Sequence, residues 1–292
     1  MAAVLMPGGP VADAVYAEVG ERVKVLAAAG TTVGLGTIQV GDDSASAGYI
    51  AKKHEMCARY GLVSLHQHIP ADASQADLLA AVATFNADPA VDAFLIQNPV
   101  PPGFNFNAAM LAVDPDKDAD GLHPVNLGVL ALGARGPRPC TPAGIQALLA
   151  YYEVPVEGRN VVIVGRGPTL GRPLSLLLAL KEPHANAAVT VVHTGVKDWA
   201  EYTRRADIVV GAAGVANMIT PDVIRPGAAV VGGGITWEGR RLLSDVDESC
   251  AEVAGWITPR LGGVGVTTVA LLLRNTVDCA ERRASRGPRY IE

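Results

Sequence analysis

Residues 158–180 read GRNVVIVGRGPTLGRPLSLLLAL. The β-branched run NVVIV predicts a buried strand, the glycines at 165, 167 and 171 predict a tight turn, and LSLLLAL predicts the body of a helix. Strand, glycine loop and helix in this order make one half of a βαβ unit. Downstream, AAVTVVH (187–193) reads as the next strand and a helix runs through Trp199 and Tyr202. The strands ADIVVGAAG (206–214) and AAVVGGGI (228–235) follow. Strands that alternate with helices favour a parallel sheet, so this stretch is a Rossmann-like domain.

Upstream, the same alternation recurs. Residues 11–29 predict a helix with Val15, Val19, Val23 and Leu26 on one face, and TTVGLGTIQVG (31–41) a buried strand. A helix over 45–60 ends at Gly61, a strand covers 62–67, a helix 74–86, and VDAFLIQ (91–97) is the next strand. The prolines of NPVPPGFN (98–105) remove ladder donors, so this segment is a rigid loop at a strand's C-terminal end. Residues 107–140 are punctuated by Gly and Pro, and DPDKDADGLHP (114–124) reads as a structured loop. CTPAGIQALLAYYEV (140–154) predicts a helix with Thr141 as N-cap and Pro142 at the first helical position. The last helix, 267–284, is apolar enough to reach back onto the first domain, and the tail SRGPRYIE is expected to fray. The expected organisation is α/β with two domains: 1–140 with 267–292, and 141–266.

Composition sets the outer limits. At 292 residues the chain has room for about two domains. Apolar residues are 49% and charged residues 18%, which supplies packed cores. The net charge of −5 argues against a nucleic-acid footprint. No apolar run is long enough to span a bilayer, and MAAVLMPGGP lacks the charged start of a signal peptide, so a cytoplasmic protein is expected. Cys57, Cys140, Cys250 and Cys279 are far apart with no zinc spacing, and are expected as buried reduced thiols. Only six of the 24 basic residues are lysines, which makes each lysine more informative.

Two motifs carry chemistry. Gly165, Gly167 and Gly171 would let a pyrophosphate approach backbone amides at a helix N-terminus; a plain βα turn is the alternative. The next strand ends in Val192-His193-Thr194, without the carboxylate that holds a free ribose in NAD-binding proteins. Arg166 in the loop suits a 2′-phosphate, and Thr194 adds a hydroxyl, which favours NADP. Ser46, Tyr49 and Lys53 fall on one helix face, where a Tyr and a Lys can handle a proton together. Alone, that spacing also fits a solvated lysine beside a half-buried tyrosine. Gln97 at a strand end and Asp120 in the structured loop add an amide and a carboxylate, a set suited to a heterocycle that displays donors and acceptors. His66 and His68 alternate on a strand without a third ligand, so no metal is expected.

Taken together, VGDDSASAGYIAKKHEMCARYGL, QNPVP, DKDADGLHPVN, PCTPAGIQALL, GRNVVIVGRGPTLGRP, SDVD and TPRLGGVGVTTVALLLRNT resemble the bifunctional methylenetetrahydrofolate dehydrogenase/methenyltetrahydrofolate cyclohydrolase family. The segments run in the family's order over nearly the whole chain. The resemblance implies two α/β domains with a cleft between them, NADP on the Rossmann side, folate opposite, and commonly a homodimer. It implies oxidation of 5,10-methylenetetrahydrofolate to the 5,10-methenyl cation and hydrolysis of that cation to 10-formyltetrahydrofolate. It gives Lys53 the role of catalytic lysine, tuned by Gln97, with Tyr49 stacking near the substrate, Asp120 gripping the pterin and Ser46 beside the tyrosine. Gly262, Gly263 and Gly265 match the glycine loop that lines the folate. Gly165, Arg166, Gly167, Gly171, Thr194 and Ile235 match the cofactor positions.

The chain departs from the family pattern at Gly167, at Val192 to Val196, at Asn98, at Gly232 to Thr236, at Arg260-Leu261 and at Val266-Thr267. Two other readings therefore stand beside the bifunctional enzyme. One is a specialised NADP oxidoreductase acting on a different small substrate. The other is a folate- or NADP-binding protein without turnover, which would have no need of a tuned lysine.

Overall fold

The computed structural model describes residues 2–239 and 241–285. In chain order its elements are β1 (Val4–Leu5), α1 (Gly8–Ala28), β2 (Gly34–Val40), α2 (Ser44–Tyr60), β3 (Val63–Ile69), α3 (Gln75–Ala87), β4 (Ala93–Ile96), α4 (Phe106–Ala112), α5 (Pro124–Ala131) and α6 (Cys140–Tyr151). They continue with β5 (Asn160–Val164), α7 (Gly171–Ala179), β6 (Ala188–Val192), α8 (Trp199–Thr203), β7 (Ile208–Gly211), β8 (Ala229–Gly232), β9 (Ile235–Glu238), β10 (Arg241–Ser244), β11 (Trp256–Ile257) and α9 (Val264–Ser285). The chain divides into two compact units. One comprises the chain up to Asp13 with Pro139–Leu271, the other Ala14–Arg138 with the chain from Leu272 onward. The tail from Arg286, expected to fray, lies outside the described residues.

The larger sheet runs β1-β11-β8-β7-β5-β6, and every pair in it is parallel. Its central strands β5, β7 and β8 are apolar on both faces because both faces are covered. Val161 and Ile163 of β5 join one core cluster with Ile208, Val210 and Leu174, while Val162 and Val164 join a second with Val209 and Val230. Because β6 and β7 flank β5, the order reverses there. The loops after β5 and β7 thus leave the sheet at its switch point, where open α/β sheets bind ligands.

The division differs from the one expected at the N-terminus. Val4–Leu5 pair with Trp256–Ile257, and Met6 N–H donates to Ile257 O at 2.8 Å, so the first residues extend the larger sheet. A two-residue strand carries no periodicity, which is why its partner could not be read from sequence. AAVVGGGI is also not one strand. It breaks after Gly232, and Ile235–Glu238 instead forms a hairpin with Arg241–Ser244. Thr141 is not the helix cap: α6 begins at Cys140, and the Thr141 hydroxyl meets that of Thr268 at 3.3 Å.

The second unit holds the parallel sheet β3-β2-β4. Ile38 and Val40 of β2 face a core with Phe85, Phe94 and Leu78. The stretch 107–140 is more ordered than a loop, since α4 and α5 interrupt it; both are too short for their apolar period to show. From Leu272 the last helix belongs to this unit. Arg22 of α1 pairs with Asp278 and Glu281 of α9, and Asn275 Nδ2 donates to Ala119 O at 2.9 Å. Arg283 Nε donates to Asp92 Oδ1 at 2.6 Å, and the Asp92 side chain is fully buried. Removing one partner of a buried charge leaves the other uncompensated. Arg283→Ala is therefore expected to lower unfolding stability by about 1–3 kcal/mol, read from urea denaturation midpoints.

Candidate active site

Helix α2 is fixed at both ends. Asp43 caps it by accepting Ser46 N–H at 2.7 Å, and Gly61 stops it in the left-handed region at φ 81°. Between these ends lie Ser46, Tyr49 and Lys53 on one face, as their spacing predicts. The Tyr49 ring is 48% exposed. Ser46 is buried, and its hydroxyl has no hydrogen-bond partner among the described residues. Lys53 Nζ donates to Gln97 Oε1 at 2.9 Å. Gln97 follows the end of β4, where its backbone N–H still bonds Ile38 O. Its amide cannot be the other way round, because Nε2 donates to Asn98 O at 2.8 Å. The carbonyl oxygen is thereby committed to the lysine.

Asp120 is set by the loop that carries it. Asp118, fully enclosed, accepts Gly121 N–H at 3.0 Å, His123 N–H at 2.8 Å and Asn126 Nδ2 at 2.9 Å. Ala119 N–H bonds Phe94 O at 3.2 Å, which stitches the loop to β4. Asp120 sits between these anchors. Burial pushes its carboxyl up to about 6; Lys53 opposes the rise and the Asp118 charge adds to it. Lys53, Gln97 and Asp120, far apart in sequence, thus share one electrostatic neighbourhood.

Between α2 and the sheet lies a polar cluster. Thr37 Oγ1 lies 2.9 Å from His66 Nδ1 and 3.4 Å from His54 Nε2. Burial lowers the pKa of both rings; Lys53 lowers that of His54 further, and His54 and His68 lower that of His66. Among the described residues no three His, Cys, Asp or Glu side chains are placed to hold a metal ion.

The other unit carries the glycine loops. Gly165 has φ 131°, and a Cβ there would stand 2.1 Å from Ala212 O; one on Gly171 would stand 2.3 Å from Gly165 O. These two glycines close the turn onto β7 and start α7. A Cβ on Gly167 would meet nothing within 4 Å, so the space on that side of the loop is open, while the Gly167 carbonyl accepts Arg172 N–H at 3.1 Å. Arg166, Thr194 and Ile235 are exposed. The end of β6 offers His193, whose Nδ1 accepts Gly195 N–H at 3.1 Å, and no carboxylate. Open space over Gly167 at a switch point, an exposed guanidinium and the missing acid fit a dinucleotide with a 2′-phosphate. Gly262, Gly263 and Gly265 form the entry to α9; Gly262 has φ 72° and its carbonyl accepts Gly8 N–H at 2.7 Å.

Asp118, Asn126 and Asp245 were not singled out as functional from sequence. The acidic run DPDKDAD and the SDVD segment were visible, but a carboxylate's backbone partners are not encoded by spacing. Asp245 accepts the N–H groups of Ala213, Gly214 and Val215 at 2.7, 3.2 and 2.8 Å.

Residues 6–120 match the family model described as tetrahydrofolate dehydrogenase/cyclohydrolase, catalytic domain. Residues 139–284 match tetrahydrofolate dehydrogenase/cyclohydrolase, NAD(P)-binding domain. The bifunctional protein FolD of Syntrophotalea carbinolica is 62% identical over 287 residues, covering 98% of this chain and 99% of its own length. The solved bifunctional FolD of Campylobacter jejuni is 37% identical with a TM-score of 0.91, covering 97% of this chain and 100% of that one. The FolD of Trypanosoma brucei, solved with NADP cofactor and an inhibitor, is 35% identical with a TM-score of 0.91, covering 98% and 100%. On two family matches that together span most of its length, and on this identity, the chain belongs to the tetrahydrofolate dehydrogenase/cyclohydrolase family.

Proposed function

We propose that this protein oxidises 5,10-methylenetetrahydrofolate to the 5,10-methenyl cation with NADP, and hydrolyses that cation to 10-formyltetrahydrofolate. The observation that carries the reading is the 2.9 Å bond from Lys53 Nζ to Gln97 Oε1, beside Asp120, in a chain 62% identical to a bifunctional FolD. The bound dinucleotide supplies the hydride acceptor.

The chain's own residues do the rest. An ordinary lysine amine is protonated at neutral pH. A cationic methenyl ligand beside Lys53, with water displaced around it, disfavours the ammonium. The neutral amine then accepts a proton as water attacks the methenyl carbon, and returns a proton to N5 as the C–N5 bond breaks. Gln97 accepts from Nζ and aims it, because its own amide is held by Asn98 O. Asp120 offers carboxylate oxygens to the N–H donors of the pterin ring. Tyr49 presents an exposed ring for stacking, and the unpartnered Ser46 hydroxyl is free to bond a ligand. Gly262, Gly263 and Gly265 let the folate approach the backbone. In the dinucleotide half, Gly165, Gly167 and Gly171 would admit the pyrophosphate, Arg166 and Thr194 would take the 2′-phosphate, and the exposed Ile235 is a further cofactor position. Support for NADP comes from the exposed Arg166, the absent carboxylate after β6 and the relative solved with NADP. A cytoplasmic homodimer belongs to the same reading through the family resemblance. No helix among the described residues is long and apolar enough to cross a membrane.

Purified protein mixed with methylenetetrahydrofolate should form the methenyl absorbance with NADP and then lose it to the formyl product. A higher kcat/KM with NAD would refute the cofactor assignment. Lys53→Met should abolish hydrolysis of added methenyltetrahydrofolate, and an unchanged rate would refute the role of the lysine.

Asp120 gives a prediction with a definite sign. Its carboxyl is raised to about 6 from the usual 3.8, so the native state holds a proton that the unfolded chain has released between those values. Its contribution to stability therefore falls as pH rises through that window and stays low above it. Asp120→Asn should lose turnover while gaining about 1–3 kcal/mol of unfolding stability at pH 7, with little gain at pH 4. Urea denaturation at the two pH values reads both.

A further inference from the structure

Asp245 is fully buried at the end of β10, yet it lies under an exposed loop. Its Oδ2 accepts Ala213 and Gly214 N–H, and its Oδ1 accepts Val215 N–H, so one carboxylate organises the whole turn after β7. It also shapes the turn after β8. A Cβ on Gly234 would stand 2.1 Å from Oδ2, and one on Gly211 would stand 2.6 Å from the Asp245 Cβ. Asp245 N–H in turn donates to Gly234 O at 3.1 Å. Those two turns leave the sheet beside the glycine loop at its switch point.

The charge is the unusual part. No cationic side chain among the described residues pairs with Asp245; burial pushes its carboxyl up, and the three backbone N–H groups oppose that rise only in part. A buried carboxylate without a counter-cation is expensive to keep. Loop geometry explains the three bonds but leaves the carboxylate without a counter-cation under a ligand-binding edge. The ligand proposed for this edge exists in two forms that differ in the charge of one ring, cationic when oxidised and neutral when reduced.

We propose that Asp245 is a positioning residue of the dinucleotide half, and that its charge favours the oxidised cofactor over the reduced one. This inference rests on the assignment of an NADP site to this unit. The 2′-phosphate and pyrophosphate are common to both forms, so the ratio of their affinities isolates the ring. Binding of NADP⁺ and NADPH to the parent and to Asp245→Asn, each by calorimetric titration, tests it. The variant should lose about tenfold in affinity for NADP⁺ and about threefold or less for NADPH. A carboxylate acting only as a strut would weaken both forms equally; that result, or no change in either, would overturn the proposal. If Asp245→Asn does not fold, Gly234→Ala displaces the same carboxylate and is judged by the same fall in ratio. A parent that binds neither form would overturn the dinucleotide assignment and this inference with it, whereas a parent that binds both and a variant with the parent's ratio would overturn the inference alone.

Discussion

Backbone N–H groups that leave a β-ladder at the end of a buried strand must find another acceptor, because water is not there to serve them. In this protein, buried or partly buried aspartates meet that demand repeatedly. Asp92 accepts Gly34 N–H where β2 begins, and Asp207 accepts Asn160 N–H where β5 begins. Asp118 and Asp245 do the same for the loops that matter most to function. Each carboxylate trades its own hydration for several aligned donors, which makes the loop rigid and the charge available.

Rigidity matters because the two halves of the proposed chemistry ask for different fields. Around Lys53 the amide of Gln97 leaves the amine one fixed acceptor, while Asp120 is held where burial and Asp118 keep its proton accessible near neutrality. The pKa values of His54 and His66 are lowered, so these rings add little positive charge beside the lysine at neutral pH. In the other unit, the glycine loop leaves open space over Gly167 at a helix start, and the exposed Arg166 supplies positive charge for an anion. Asp245 places the opposite sign nearby. A dinucleotide carries both signs, and the loops present both.

Much of this was legible in the residues. The β5–loop–α7 unit follows from a β-branched run, three glycines and a leucine-rich helix, all within 23 residues. The face shared by Ser46, Tyr49 and Lys53 follows from helical spacing, and the αL stop at Gly61 from the lack of a Cβ. Shorter or longer-range features were not legible. α4 and α5 span two turns each, below the length at which periodicity speaks. The hairpin of β9 and β10 lay hidden behind three glycines whose missing side chains are replaced by Ser244, Leu170 and Asp245 from elsewhere. The place of Thr141 was misjudged because a Thr-Pro pair looks like a cap whether or not its hydroxyl finds a helix N–H.

The sequence by itself determined the alternation of strands and helices, the glycine turn, the face that carries Lys53 and the family to which these motifs point. Those are local properties, set by side-chain shape and backbone freedom over a few residues. Tertiary structure alone decided that Gln97 turns its oxygen to an amine 44 residues away, that Asp120 holds its proton more tightly, and that Asp245 lies beneath the turn after β7. Such facts depend on burial and on donors brought together from distant segments, and a carboxylate gains its partners and the shift in its pKa only once water has been excluded around it.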